Sequence, residues 1–144
     1  MIVVPDASVI LKWVLERDEG KDLPKALELQ RAFLSEAIDL QVPTLWRYEV
    51  GNVLGLKQPE LAAELMSALL DYELPEVHLT VDACQAVLQL MREIKGVTFY
   101  DSCYHVVALQ SDGVYVTADR DYFKRAGRLG HVRLLADWRL PRRR

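Results

Sequence analysis

The sequence predicts an α/β domain with a central, mostly parallel five-stranded sheet between helical layers. Short apolar runs, several rich in β-branched residues, alternate with longer segments whose apolar residues recur at helical spacing. Glycine, proline and polar clusters separate these segments. No internal repeat or linker interrupts the alternation. One domain is therefore predicted over residues 1–140, followed by a basic tail at 141–144.

The predicted elements follow one another with few interruptions. In chain order they are a strand at 2–5, a helix near 9–14, a helix at 25–37, a strand at 40–42, helices at 44–56 and 59–71, a strand at 77–79, helices at 80–95 and 100–111, a strand at 114–116, a short helix after 119, and a strand at 131–135. A polar break at 16–24 separates the first two helices. Local signals place four boundaries: Thr44 as an N-cap, Pro59 in a first turn, Thr80 or Asp82 at a helix start, and Gly96 at a helix end.

Composition excludes several classes of protein. Half of the 144 residues (51%) are hydrophobic, so a disordered chain is not expected. No apolar run reaches the roughly 18 residues that span a bilayer, and residues 1–6 lack the basic start of a signal peptide. A cytoplasmic protein is expected, in which Cys84 and Cys103 are reduced and packed. The net charge of −3 disfavours a basic nucleic-acid surface, but arginines and lysines concentrate in residues 120–144, either as a solvated tail or as phosphate contacts.

Two acids follow predicted strands. Asp6 comes directly after the first strand, and Asp119 comes after the strand at 114–116 and a short Thr-Ala step. Ligands of open parallel sheets bind outside the carboxyl ends of the strands, which is where these two acids are expected. Taken singly, each is explained as well by a helix cap or a turn.

Two further acids are placed on helices. Glu49 has Leu45, Trp46 and Val53 as helical neighbours, so its carboxylate lies in an apolar stripe where a charge needs a partner or a cation. Asn52, one turn on, is placed to support such a site. Asp101 stands at the start of a helix whose following residues are almost all apolar or small, which indicates a buried helix start.

Together, the four acids predict a site for a hard cation. Four carboxylates in one pocket repel each other, and a divalent cation removes that repulsion. Oxygen ligation favours Mg²⁺ or Mn²⁺ over zinc, for which the sequence has neither an HExxH motif nor a cysteine pair. His105, one turn after Asp101, either bonds to that acid or is simply packed.

Four sequence blocks carry a family resemblance. They are VVPDASVILKWVL, VPTLWRYEVGNVL, TFYDSCYHVVAL and VYVTADRDYF. In this order and spacing the chain resembles the PIN-domain nucleases, in particular VapC-type toxins of toxin–antitoxin pairs. The resemblance spans nearly the whole chain. It implies a three-layer α/β/α sandwich, an acidic pocket for Mg²⁺ or Mn²⁺, and hydrolysis of RNA.

The resemblance also assigns roles to individual residues. Asp6 and Asp101 match the main metal ligands, which Glu49 and Asp119 complete, and Asp121 is similar to an additional acid of many members. The matching supporting polar positions are Ser8, Asn52 and Thr117. A homodimer and a small inhibitory antitoxin are implied as partners. Pro5, directly before the first aspartate, is a mild departure from the pattern. The basic side chains expected to hold the RNA backbone are those close to Asp119 in sequence, namely Arg120, Lys124 and Arg125.

Other functions remain open at the level of sequence. A Mg²⁺-dependent phosphatase with an aspartyl nucleophile usually carries a second acid two residues later, where this chain has Ser8. A phosphorylated receiver domain would need paired acids near the first strand and a lysine after a late one. The remaining alternative is a catalytically silent PIN-fold module that binds RNA or a protein partner.

Overall fold

Four parallel strands form the central sheet of the computed structural model, which describes residues 1–15 and 22–142. They are β1 (Ile2–Pro5), β2 (Asp39–Leu40), β5 (Val114–Thr117) and β6 (Val132–Leu134), in the order β2–β1–β5–β6. All three pairings between neighbouring strands are parallel. The predicted class, α/β with a central parallel sheet, is therefore confirmed. Some of the predicted polar break at 16–24 lies outside the described residues.

The predicted count of five strands in one sheet is wrong. The single strand expected at 40–42 is two short strands, because the chain leaves the central sheet after Leu40. The second of them, β3 (Val42–Pro43), pairs in parallel with β4 (Glu76–Val77) as a separate two-stranded sheet. The segment predicted as the fifth strand, at 77–79, thus belongs to this small sheet.

Seven α-helices connect the strands within the described residues. They are α1 (Ala7–Leu11), α2 (Leu23–Leu34), α3 (Trp46–Lys57), α4 (Ala62–Leu70), α5 (Val81–Glu93), α6 (Phe99–Ser111) and α7 (Arg120–Ala126). Thr80 caps α5 as predicted, its side chain accepting from the backbone N–H of Ala83 at 3.1 Å. Two other boundary predictions are wrong: Thr44 precedes the N-cap Leu45, which makes no side-chain cap bond, and Pro59 lies before α4 begins.

Side chains from β4 hold the start of α3. The carboxylate of Glu76 accepts from Trp46 Nε1 at 3.2 Å and from Arg47 Nε at 2.9 Å, and it also accepts from Arg47 Nη2. Trp46 is fully buried. These bonds fix the first turn of α3, which carries Glu49.

The core lies against β1 and β5. Val3, Val4, Tyr115 and Val116 are buried, and both α1 and α6 pack on these two strands. Every residue of α6 from 102 to 108 is buried, as expected from its apolar sequence. No helix of the described residues is long and apolar enough to cross a membrane. Cys84 and Cys103 are free thiols, as predicted.

The register of β1 and β5 determines where their ends meet. Pro5, the last residue of β1, lies opposite Val116, so the two strands end at the same edge of the sheet. The N–H of Asp6 continues this ladder by donating to the carbonyl of Val116 at 2.9 Å. The residues that follow these strands, Asp6 and Asp119, therefore lie at one edge.

Candidate active site

Asp6 is held rigidly at the end of β1. It is the N-cap of α1, and its Oδ2 accepts from the backbone N–H of Ser8 at 3.0 Å and from Ser8 Oγ at 2.5 Å. Its Oδ1 accepts from the hydroxyl of Tyr115 at 2.7 Å. Only 8% of the residue is exposed. Both oxygens of Asp6 therefore have protein donors, and Ser8 supplies two of the three bonds.

Asp119 occupies the equivalent position after β5. It is the N-cap of α7, with Oδ1 accepting from the backbone N–H of Tyr122 at 3.0 Å. Its own N–H donates to Oγ1 of the fully buried Thr117 at 3.1 Å. Thr117 thus positions Asp119 through the backbone. The capping role considered for both strand-end acids is present, and it leaves Asp119 Oδ2 available.

Asp101 stands in the first turn of α6, beneath the N-cap Thr98. The backbone N–H of Asp101 donates to Thr98 Oγ1 at 3.1 Å. Burial and the negative charges of Asp6 and Asp119 together raise the pKa of Asp101 to about 6, against the opposing effect of a hydrogen bond with Thr98. The carboxylates of these three acids therefore lie close enough to repel one another.

Glu49 also has a strongly perturbed carboxyl. Burial and the charges of Asp6 and Asp101 together raise its pKa to about 7, while the nearby Tyr104 hydroxyl opposes this rise. Oε1 of Glu49 is buried and makes no hydrogen bond of normal geometry, and the same is true of the Tyr104 hydroxyl. An unpartnered carboxylate oxygen in a low-dielectric, negatively charged site favours a proton or a cation.

The donor chemistry of the site fits a hard divalent cation. Among residues 1–15 and 22–142, no three Asp, Glu, His or Cys side chains already stand together as a metal cage. Asp6 and Asp119 are engaged in capping bonds, whereas the side chains of Glu49 and Asp101 cap no helix. The unpartnered Glu49 Oε1 and the all-oxygen donor set suit Mg²⁺ or Mn²⁺.

A layer of aromatic side chains that sequence reasoning missed lies under the acids. Tyr104 and Tyr115 stack with ring centroids 5.6 Å apart, and Tyr122 meets Tyr115 edge-on at 5.5 Å. Two signals in the sequence point to these residues. Tyr104 lies one helical turn after Asp101, and Tyr115 lies on the opposite face of its strand from its two neighbours. His105 bonds to Tyr122 Oη and to the Gly130 carbonyl, both at 2.7 Å, and thus belongs to the packing rather than to Asp101.

The remaining predicted residues are exposed on α3 and α7. Asn52 is exposed on α3, turned away from the buried face. Asp121 is also exposed, and its Oδ2 accepts from Arg125 Nε at 3.0 Å. Arg125 additionally donates to the carbonyl of Lys95 at 3.3 Å. Arg120 and Lys124, the other predicted RNA contacts, are exposed on α7 next to Asp119.

Solved structures of the same fold include three close in size to this chain. VapC20 from Mycobacterium tuberculosis, described as a sarcin–ricin loop cleaving toxin, has a TM-score of 0.67 and 16% identity, covering 90% of this chain and 96% of that one. VapBC2 from Rickettsia felis, bound to a promoter DNA fragment, has a TM-score of 0.66 and 15% identity, covering 93% of this chain and 97% of that one. PAE2754 from Pyrobaculum aerophilum has a TM-score of 0.64 and 23% identity, covering 94% of this chain and 84% of that one.

One family model matches most of the sequence. Among curated proteins no sequence matches the chain significantly. The family model described as PIN domain matches residues 3–129, which include all four carboxylates and the strands and helices that position them. The chain therefore belongs to the PIN-domain family.

Proposed function

We propose that this chain is an endoribonuclease that depends on Mg²⁺ or Mn²⁺ and hydrolyses RNA phosphodiester bonds. PIN domains are generally nucleases. The observation that carries the proposal is that Glu49 Oε1 is buried with no hydrogen bond of normal geometry, in a site where Asp6 and Asp101 add negative charge. The site is thereby incomplete without a cation.

Each acid has a distinct role in this proposal. Asp6 and Asp101 would be the principal ligands, and Glu49 and Asp119 would complete the set. When bound, the cation would favour deprotonation of water and offset the charge that develops on the phosphate. Glu49 or Asp119 would orient the attacking water or accept its proton, since Glu49 Oε1 makes no hydrogen bond of normal geometry and the capping bond of Asp119 uses only Oδ1. Asp121 would be an additional acid outside the set of four ligands.

The RNA backbone would be held by basic residues of α7. Arg120 and Lys124 are exposed beside Asp119, and Arg125 is restrained by Asp121 and by the Lys95 carbonyl. Such cations contact phosphates without reading sequence, so binding should weaken as salt is raised.

A toxin role is the more specific form of the proposal. The chain would act in the cytoplasm as a homodimer, inhibited by a small cognate antitoxin. The support is that similar folds include a toxin named for cleaving RNA and a VapBC2 complex. Induction of the wild-type chain without an antitoxin is expected to arrest growth, whereas Asp101→Asn is not. Equal growth of the two cultures would argue for a solitary nuclease.

Incubation of the purified protein with total RNA tests the nuclease itself. The reactions contain Mg²⁺, Mn²⁺ or a chelator, and the new RNA ends are sequenced. Cleavage is expected only with a cation and only when Asp101 is intact. Asp82→Asn is a matched control, because Asp82 is also an acid in the first turn of a helix capped by threonine. Cleavage that survives the chelator contradicts the metal requirement, and RNA binding without cleavage favours the silent module.

A further inference from the structure

An apolar groove lies beside the acidic site and has no role in the proposed chemistry. Its volume is about 180 Å³, and residues from the start of α3, from the β4–α5 connection and from α5 and α6 line it. The lining used below consists of Thr44, Tyr48, His78, Leu79, Phe99 and Tyr100. Three of these side chains are strongly exposed: Tyr48 by 79%, Tyr100 by 61% and Leu79 by 52%.

Two residues that line the groove are adjacent in sequence to two of the four acids. Tyr48 directly precedes Glu49 on α3, and Tyr100 directly precedes Asp101 on α6. Adjacent helical residues rise by about 1.5 Å and differ by about 100° around the axis. Each helix therefore presents a carboxylate to the acidic site and a tyrosine ring to the groove beside it. A molecule that spans the site and the groove would meet a carboxylate and an aromatic ring on adjacent residues of each helix.

The chemistry of the lining restricts what the groove can hold. None of the residues that line it is Asp, Glu, Lys or Arg, so nothing in it neutralises a phosphate. Exposed rings favour a planar aromatic group, and Thr44, His78 and the two tyrosine hydroxyls can pair with polar edges. The volume is below the roughly 300–1,000 Å³ of pockets that enclose drug-sized ligands, which leaves room for one ring system.

We propose that this groove receives an unpaired base of the RNA, that of the nucleotide next to the bond being cut, stacked against Tyr48 and Tyr100. The inference rests on the proposed nuclease function and deepens it by assigning a base-binding subsite to Tyr48 and Tyr100, beside the acids. A base held in a duplex cannot turn into the groove, because its faces are covered by its neighbours. Tyr48 and Tyr100 would thereby select single-stranded segments such as loops.

Replacement of both tyrosines by leucine tests the stacking. Tyr48→Leu together with Tyr100→Leu keeps apolar surface but removes the aromatic faces, and the exposure of both residues leaves the fold unaffected. The probe is a fluorescein-labelled pool of random 12-nucleotide single-stranded RNA, bound in the presence of a chelator so that no cleavage occurs. The Kd is expected to rise about tenfold, and phenylalanine at both positions should restore most of the affinity.

Two control variants lie on the same helices. Leu56 and Leu109 are both exposed. Leu56 lies about 12 Å along α3 from Tyr48, and Leu109 lies about 14 Å along α6 from Tyr100. Leu56→Ala and Leu109→Ala are expected to bind the pool as the wild type does. If they weaken binding as much as the tyrosine variant does, the loss is not specific to the groove and the inference fails.

A base-deleted substrate gives a sharper test once cleavage sites are mapped. A synthetic RNA with the mapped site is compared with one lacking the base beside the scissile bond. The deletion should lower kcat/KM about tenfold for the wild type and less than twofold for the double leucine variant. Equal losses in both proteins would overturn the inference.

The outcomes also separate this inference from the proposed function. If the wild type cuts no RNA but binds the pool in a tyrosine-dependent way, the groove assignment stands and the nuclease proposal falls. If the wild type cuts RNA and the double leucine variant cuts and binds equally well, the groove assignment alone falls. It also falls if sedimentation shows that the variant dissociates a dimer without any change in RNA binding, since the groove would then join two copies.

Discussion

The hydroxyl of Tyr115 donates a 2.7 Å hydrogen bond to Oδ1 of Asp6, which joins the middle of one strand to the end of its parallel neighbour. Tyr115 is completely buried, and burial together with the Asp6 charge raises its pKa well above the ordinary value. The tyrosine therefore stays protonated and remains a donor at any physiological pH. This bond fixes the orientation of a carboxylate proposed to be a metal ligand.

Tyr115→Phe is expected to lower both stability and cleavage. The change leaves Oδ1 of Asp6 buried without its donor, at a cost of about 1–3 kcal/mol in unfolding free energy. Cleavage should fall about tenfold, with a higher Mg²⁺ concentration needed for half-maximal rate. Denaturant titration and metal-dependent rates measure the two effects.

Tyr72→Phe serves as the control for that experiment. Its hydroxyl also has a 2.7 Å partner, Gln30 Nε2, but it packs against Trp13 rather than the acids. It should lose comparable stability and keep the wild-type metal dependence. Identical metal dependence in Tyr115→Phe would remove the positioning role assigned to Tyr115.

Asp101→Asn is expected to stabilise the metal-free protein while abolishing cleavage. The raised pKa of Asp101, about 6, means that its charge is unfavourable in the folded state at neutral pH. Asparagine removes that charge at nearly constant volume. Thermal unfolding in a chelator should shift upward for Asp101→Asn and stay unchanged for Asp82→Asn, an exposed first-turn acid. A lower melting temperature for Asp101→Asn would contradict the repulsion inferred for the site.

The stability of the metal-free protein is expected to fall as pH rises from about 5 to about 8. Glu49 and Asp101 have folded pKa values of about 7 and about 6, above the ordinary 4.5 and 3.8. These two carboxyls therefore bind more protons in the folded state than in the unfolded state, and that stabilisation is lost as they ionise, whereas the pKa of His105, lowered by burial, acts in the opposite direction below about pH 7. Glu76 has a lowered pKa because of Arg47, and its opposite contribution is lost only at lower pH.

Urea denaturation at several pH values in a chelator checks this slope. Glu49→Gln should flatten the upper end of the curve, between about pH 6 and 8, because its carboxyl titrates there. Slopes unchanged from wild type in both Glu49→Gln and Asp101→Asn would show that the two groups titrate normally.

Mg²⁺ or Mn²⁺ is expected to raise stability, and by more at pH 8 than at pH 6. Only the folded state presents the four acids together, and only their ionised forms bind a cation. A cation at 100 times its Kd would add about 2.7 kcal/mol. Calorimetry in each metal measures the shift, with Asp101→Asn as the variant that should lose most of it. No shift in either metal at millimolar concentration would count against the site.

The sequence predicts that Asp6 and Asp119 lie at the same edge of the sheet, because ligands of parallel sheets bind at the carboxyl ends of the strands. This prediction depends only on the two strands being parallel neighbours. Other features depend on contacts that no local pattern contains. The chain leaves the central sheet after Leu40 because Val42 and Pro43 pair with β4, more than 30 residues later. Asn52 is predicted to support Glu49, but α3 buries the face that carries Trp46, Val50 and Leu54 and leaves Asn52 exposed.

Asp6 and Asp119 combine capping of a helix with their place in the acidic site, whereas Glu49 and Asp101 cap nothing. The evolutionary constraint on the four positions is therefore unequal. A lineage that lost the activity would still need a short polar side chain at 6 and 119, since other residues would loosen α1 or α7. At 49 and 101 it would gain stability from any apolar residue that fits. Inactive descendants of this chain should thus lose Glu49 and Asp101 first.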